Sequence, residues 1–355
     1  MVEFRKNIKG RGASSQPANR FNSLNVELDP QDWDNYLEEE KPLLRTQFLR
    51  DASKTIVTEN KSPDVGFTFS VNPYRGCEHG CAYCYARPTH EYLGYSAGLD
   101  FESKIFVKEK APELLREKLM SKSWKADTVA MSGVTDCYQP IERKLQLTRK
   151  CLQVLLDFKN PAALITKNHL VTRDLDLFKQ FAEWNGILVF ISITTLDADL
   201  CGVLEPRTSR PASRLEAIRC LAENNIPVGV NVAPVIPGLT DHELPGILKA
   251  AAEAGAKHAG YVPIRLPLTV SPIFEEWLTV HRPERKERVL SAIRDMRGGK
   301  LNDAQFESRM RGEGPIAANI AQMYKIYSHK FGLNQQDVVL DNSHFSRPGD
   351  QLGFF

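Results

Sequence analysis

Between residues 67 and 264, six short apolar runs alternate with longer segments whose apolar residues recur every three or four positions. The runs are FTFSV (67–71), DTVAMSGV (127–134), AALIT (162–166), ILVFISI (187–193), PVGVNVAPV (227–235) and GYVPI (260–264). Each is short enough for a strand, and none approaches the length that spans a bilayer. The segments between them predict helices over 111–121, 142–158, 173–184, 211–224 and 241–254. Pro112 sits near the first turn of the first. Leu145, Leu152, Leu155 and Leu156 share one face of the second. Strands that are apolar almost throughout, alternating with amphipathic helices, predict a parallel sheet covered by helices. Six β/α units fall short of the eight of a full barrel. The expected fold is α/β, a partial (β/α)6 TIM-like barrel. Its core is expected over 61–268, with a partly disordered N-terminal extension at 1–60 and a helical C-terminal extension at 269–355. In barrels of this kind chemistry sits on the loops after the strand C-termini.

The first of those loops carries GCEHGCAYCYARP (76–88), with Cys77, Cys81 and Cys84 inside eight positions. Thiolates this near in sequence converge on one metal centre without a long loop to close. The start, MVEFRKNIKGRG, has no apolar stretch, so a secretory leader and a disulfide framework are not expected. Two metal readings compete. Structural zinc wants four ligands, with His79 or His90 as the fourth, but no second cysteine pair exists. A four-iron cube on three cysteines keeps one iron open for a substrate or cofactor. Cys137, Cys151, Cys201 and Cys220 are scattered singly. Cys151 and Cys220 fall among the leucines and isoleucines of helices, where a free cysteine is simply buried.

Composition adds little: charged residues are 25%, hydrophobic ones 42%, and the net charge is +2. That balance predicts a soluble protein of a reducing compartment, cytoplasmic and without a membrane partner, and is silent on nucleic acid. Charge is uneven along the chain. Residues 1–20 hold five basic groups and one acidic one and read as a disordered leader. Residues 27–40 hold seven acidic groups and no basic ones, a solvated arm. Residues 281–311 hold nine Lys/Arg against five Asp/Glu, an exposed helix or, if nucleic acid binds, the face that tracks its phosphates.

The Cys77-xxx-Cys81-x-Tyr83-Cys84 arrangement resembles the signature of the radical S-adenosylmethionine (radical SAM) superfamily. The resemblance covers about residues 66–266. SGVTDCYQPIE after strand two, TK after strand three and RLEAIRCLAENNIPVGVNVAPVIPGL resemble the photolyase-like group related to spore photoproduct lyase. RMRGEGPIAANIAQMYKIYSHKFGL resembles a bacterial subgroup of it. The resemblance implies a [4Fe–4S] cluster on Cys77, Cys81 and Cys84, and S-adenosylmethionine held at its open iron. It implies reductive cleavage to a 5′-deoxyadenosyl radical that takes hydrogen from substrate, and a reducing partner such as flavodoxin or ferredoxin. Iron–sulfur potentials reach roughly −700 mV, so such a centre is physically available. The alternative is an iron–sulfur or zinc protein that binds nucleic acid without radical chemistry.

Further roles follow from the resemblance. Tyr83 is placed against adenine. Thr135 and Asp136 stand where the family holds the methionine amino group, although Asp136 reads equally well as a turn residue. Lys167 ends strand three and is placed to pair with the methionine carboxylate. Ser192 and Thr194 alternate along strand four, with Thr194 the better ribose candidate. Asn231 is polar within an apolar strand and needs a partner. Arg207 is placed to meet cofactor or an anionic substrate. In spore photoproduct lyase a cysteine just ahead of the Thr/Ser-Asp pair returns hydrogen to the substrate. Here that stretch reads Ser132-Gly133-Val134-Thr135, and Cys137 follows Asp136 instead. Repair of spore photoproduct is therefore not expected. Cys137 is a weak candidate hydrogen donor, and Cys201 a weaker one.

Overall fold

The computed structural model describes residues 8–21, 44–337 and 339–349. Its strands are β1 (Gln47–Arg50), β2 (Val57–Glu59), β3 (Phe69–Val71), β4 (Tyr74–Arg75), β5 (Lys104–Val107), β6 (Val129–Met131), β7 (Ala162–Thr166), β8 (Ile187–Ser192), β9 (Val228–Val235) and β10 (His258–Pro263). The α-helices of seven or more residues are α1 (Ala111–Met120), α2 (Leu147–Asp157), α3 (Leu175–Ala182), α4 (Ala198–Leu204), α5 (Pro211–Glu223), α6 (Leu244–Glu253), α7 (Val270–His281), α8 (Lys286–Asp295) and α9 (Gly314–Lys330). The six expected strands are β3, β6, β7, β8, β9 and β10, all parallel, in the order β10-β9-β8-β7-β6-β3. Two features went unforeseen. Strand β2 pairs antiparallel with β3 at the sheet edge, ahead of the expected start of the core. A second sheet runs β1-β5-β4. Both are built from strands of two to four residues, too short to show a periodicity. The helix expected over 142–158 is broken at Gln146, which takes a left-handed conformation (φ 53°) between two helical segments.

Helices pack on one face of the sheet, and the other face is partly exposed. Val129, Met131, Leu164, Ile187, Val189, Ile191, Val228 and Val230 point to one side and are fully buried against Leu115, Leu155, Phe178, Ile218 and Ile247 of helices α1, α2, α3, α5 and α6. Each such side chain contributes roughly 1.5–3 kcal/mol. The alternate residues Ala163, Ile165, Leu188, Phe190, Asn231, Ala233 and Gly260 face the other way and are partly exposed. Period-two alternation is therefore present, but alanine, glycine and large apolar residues occupy the open side, so it did not register in the hydropathy pattern.

The disordered leader expected over 1–20 is corrected for residues 8–20, and residues 1–7 lie outside the described residues. Residues 8–21 pack on the cysteine loop, with Arg11, Ala13, Ser14, Ser15 and Asn19 all buried. Backbone N–H groups of Gly12 and Ala13 donate to the Glu102 carboxylate at 3.1 and 2.9 Å, and Arg11 donates to the Glu102 carbonyl at 2.6 Å. Low hydrophobicity hid this, because the arm docks by backbone hydrogen bonds and close approach. A Cβ on Gly12 would lie 1.7 Å from the carbonyl oxygen of Gly80. Gly12→Ala is therefore expected to lift the arm off the loop. Limited proteolysis should cut the variant within 8–21 faster than wild type, and equal rates would show that the contact is dispensable. The acidic stretch 27–40 lies outside the described residues. Among the described residues no helix is long and apolar enough to cross a membrane.

Candidate functional site

Cys77, Cys81 and Cys84 lie on the loop that follows β4. Cys77 and Cys81 are buried, Cys84 is partly exposed, and none is in a disulfide. Burial pushes the Cys81 thiol up, and Glu205 adds to it. Cys84 is raised to about 11 by burial and by Cys77. Cys84 packs against the apolar cluster that holds Cys77 and against the one that holds Cys81, so the loop keeps the three thiols close together. Among the described residues no three His, Cys, Asp or Glu side chains are grouped for a single metal ion.

The residues between the cysteines tie the loop to the rest of the protein. The Glu78 carboxylate accepts from Arg207 at 2.9 Å and from the Ile141 N–H at 2.7 Å. Nδ1 of His79 lies 3.3 Å from Asp136, and its Nε2 lies 3.2 Å from the amide of Asn168. Burial pulls His79 down, but Asp136 and Cys77 outweigh it and hold the ring at about 10. Gly80 has φ +67° and lies against both the arm and Glu102, where a side chain would not fit. The Ala82 N–H donates to the Leu204 carbonyl at 3.1 Å. The Tyr83 hydroxyl bonds Glu205 and lies 3.2 Å from the Thr194 hydroxyl. Behind the loop, the fully buried Arg87 pairs with Glu102 and donates to the Cys81 carbonyl at 2.8 and 3.0 Å. A loop held at this many points needs no reorganisation to present its thiols.

The other residues singled out from the sequence divide. Asp136, Lys167, Tyr83 and Thr194 are brought together. Asp136 accepts from the N–H of Tyr138 (2.9 Å) and of Lys167 (2.8 Å) and from the Thr166 hydroxyl (2.8 Å), besides facing His79. A carboxylate has about four lone-pair sites, and protein groups take all of them. Burial raises its pKa, but His79 and these donors bring it down to about 2. Lys167 Nζ donates to the Ala233 carbonyl at 3.0 Å, lies 3.8 Å from Glu205 and sits 6.0 Å from the centre of the Tyr83 ring. Thr194 is fully buried, bonding the Ala233 carbonyl at 3.0 Å and Glu205 at 2.8 Å. Ser192 and Asn231 are register partners on β8 and β9, and Asn231 pairs with Gly260 of β10, so these three form a row across the open face. The Asn231 amide is partly exposed.

Three further residues have protein partners. Arg207 pairs with Glu78 and donates to the Thr46 hydroxyl at 3.2 Å while staying partly exposed. The Thr135 hydroxyl donates to the Tyr74 carbonyl at 3.0 Å, and Thr135 is buried behind the loop. Cys137 has no exposed surface and packs in the helix-side core with Val71 and Met131. Cys201 is likewise buried, 3.5 Å from Arg214.

The residue missed in the sequence is Glu205. It is fully buried, pairs with the fully buried Arg214, and also holds Tyr83, Thr194 and Lys167. Burial pushes its pKa up, but Arg214 and Lys167 bring it down to about 2. Nothing in LEPRTSRP distinguishes Glu205 from a surface acid, since its partners come from four other segments.

The chain matches the radical SAM superfamily over residues 71–251. Uncharacterised proteins of Mycobacterium bovis and Mycobacterium tuberculosis are 34% identical over 264 residues, 73% of this chain and 77% of theirs. The chain belongs to the radical SAM superfamily. An uncharacterised protein of Methanocaldococcus jannaschii is 32% identical over 199 residues, 56% of this chain and 71% of its own. Among solved structures, spore photoproduct lyase complexed with dinucleoside spore photoproduct superposes with a TM-score of 0.59 at 15% identity, covering 81% of this chain and 80% of that one. A point mutant of the same lyase gives 0.60 at 16%, covering 89% and 86%. At such identities the likeness is one of fold. It places this radical SAM chain in the α/β architecture described above.

Proposed function

We propose that the protein is a radical SAM enzyme that binds a [4Fe–4S] cluster on Cys77, Cys81 and Cys84 and reductively cleaves S-adenosylmethionine. The observation that carries this reading is the cysteine loop itself. Three free thiols lie close together at the C-terminal edge of a parallel sheet, the residues between them are anchored, and a partly exposed sheet face opens beside them. A nucleic-acid-binding metal protein has no use for that open face at the strand ends. When bound, cluster and cofactor supply one-electron cleavage of a carbon–sulfur bond, and the protein supplies position and the exclusion of water.

The residues take the following roles. Tyr83, held through its hydroxyl by Glu205, fixes the loop between two of the cysteines. Lys167 meets the cofactor carboxylate. Asp136 acts through what it holds, the Lys167 backbone, Thr166 and His79, because its own oxygens are filled. The partly exposed Asn231 amide is the ribose contact, in preference to the buried Ser192 and Thr194. The electron comes from a flavodoxin- or ferredoxin-type partner. The substrate differs from spore photoproduct, since Cys137 lies on the wrong side of the sheet. An assay with a spore-photoproduct dinucleotide should show no repair; turnover lost on Cys137→Ala would reject this.

The deciding test is anaerobic reconstitution followed by dithionite and S-adenosylmethionine. Formation of 5′-deoxyadenosine is expected, and a colourless, zinc-only protein would reject the proposal. Lys167→Met is expected to weaken cofactor binding about ten-fold or more while iron content stays the same, because a charged hydrogen bond contributes roughly 1.5–3 kcal/mol. Calorimetry showing unchanged affinity would remove Lys167 from the cofactor site.

A further inference from the structure

Arg265 directly follows the last strand of the parallel sheet, at the same edge as the cysteine loop. Its guanidinium offers five N–H donors. Among the described residues it spends one of them, at 3.1 Å, on the thioether of Met310, a weak acceptor. Its Nε is buried without any partner, and it makes no ion pair among the described residues. The surroundings do not compensate. Burial and Arg309 both act against its charge, and outweigh Tyr85 and Asp64. Arg309 is itself neutralised by Asp64, and Arg297 is satisfied by the carbonyls of Ile264 (2.9 Å) and Ser308 (2.8 Å). Arg265 is thus the guanidinium of this cluster left without an acceptor to match its charge, a state that costs stability.

Beside it stands Tyr85, the residue after Cys84. The Arg265 guanidinium lies 5.6 Å from the centre of the Tyr85 ring. That ring is 48% exposed, in contrast to Tyr83, which is buried. Its hydroxyl donates to the Gly133 carbonyl at 3.1 Å, which ties the ring to the loop after β6. Val134, next in that loop, is 40% exposed. An unmatched guanidinium therefore sits against an exposed aromatic and apolar rim, one residue away from a cysteine assigned to the cluster.

We infer that Arg265 is the anchor for an oxyanion carried by the substrate, phosphate or carboxylate, with Tyr85 supporting the substrate body beside it. This rests on the proposed function, because it takes the space beside Cys84 as the reaction site. A planar guanidinium pairs an oxyanion through two parallel hydrogen bonds, which a solvating water does not replace. The residue is partly exposed, so an anion meets its terminal nitrogens rather than the enclosed Nε, and substrate binding, not folding, supplies the matching charge.

The test uses the reconstituted protein and its Arg265→Gln and Arg265→Lys variants. Thermal unfolding is followed while inorganic phosphate or acetate is added at constant ionic strength. At least one anion should raise the melting temperature of wild type saturably. Arg265→Gln should lower that anion's affinity by about ten-fold or more, and Arg265→Lys should fall short of wild type because a point charge replaces the fork. Without added anion, Arg265→Gln should melt no lower than wild type, since it removes an unmatched charge. A response to phosphate alone points to a phosphorylated substrate, and one to acetate alone to a carboxylate. No saturable response to either anion, an undiminished response in Arg265→Gln, or a glutamine variant that melts several degrees lower would each overturn the assignment. Wild-type formation of 5′-deoxyadenosine is read separately, so failure of the cofactor reading and failure of the anion site are distinguishable.

Discussion

Cys84→Ala is expected to reconstitute with depleted iron and to lose cleavage of S-adenosylmethionine by about a thousand-fold or more, equivalent to roughly 4 kcal/mol of barrier. The effect is large because no other sulfur can substitute. Cys137 and Cys151 are locked in the helix-side core, and Cys201 is enclosed with Arg214 and Glu205. Cys220 lies on helix α5 with its neighbours Glu216 and Glu223, away from the loop. Cys77→Ala and Cys81→Ala should behave alike, and Cys220→Ala should retain both iron and cleavage. Iron quantification and 5′-deoxyadenosine formation check this. A Cys84→Ala protein that takes up four irons and still cleaves the cofactor would show that the cluster sits elsewhere.

The second large effect is on stability. Glu205→Ala leaves the Arg214 guanidinium, with its side chain 1% exposed, without its carboxylate. Breaking such a buried pair from one side costs roughly 3–5 kcal/mol. The same change releases Tyr83, Thr194 and Lys167 together, so cofactor affinity should fall with stability. The pH dependence has a definite sign. Burial pushes the Glu205 carboxyl up, but Arg214 and Lys167 hold it at about 2 in the folded state, below the ordinary glutamate value of about 4.5. Its contribution, about 3 kcal/mol, is complete above the unfolded pKa and is lost as pH falls through the folded one. Denaturant unfolding should therefore show a wild-type advantage that is constant from pH 7 down to about 5.5 and shrinks below pH 4.5. An advantage below about 1 kcal/mol at pH 7, or one that does not shrink in acid, would contradict the pairing.

Much of the fold was legible. AALIT coincides with β7, and ILVFIS of the fourth run with β8, because these parallel strands carry apolar residues on both their buried and their partly exposed faces. The breaks in legibility have distinct causes. The arm at 8–21 docks through backbone groups and the absence of side chains at Gly12 and Gly80, which hydropathy does not record. The open face of the sheet carries Phe190, Leu188 and Ile165, residues that read as core in any linear pattern. Residues 281–311 looked like an exposed basic helix, yet Arg297 is buried on carbonyls and Arg309 pairs with Asp64.

The candidate site shows the same division. The three cysteines declare themselves, since their chemistry depends on spacing within eight residues, and local chain geometry alone brings them near one another. Polar residues around them do not. Asp136 and Arg207 were equally plausible as exposed contacts, and both turn out to be spent on the cysteine loop, on His79 and Glu78 respectively. Glu205 resembled any surface acid until Arg214, Tyr83, Thr194 and Lys167 closed around it. The sequence by itself determined the strand order of β/α units and the identity of the thiol loop, because periodicity and short-range spacing are properties of neighbours along the chain. Only the tertiary structure decided which charges are already matched and which, like Arg265, are left for a ligand. Matching depends on partners from 9 to 245 residues away along the chain, and a buried charge is stable or available according to whether those partners arrive.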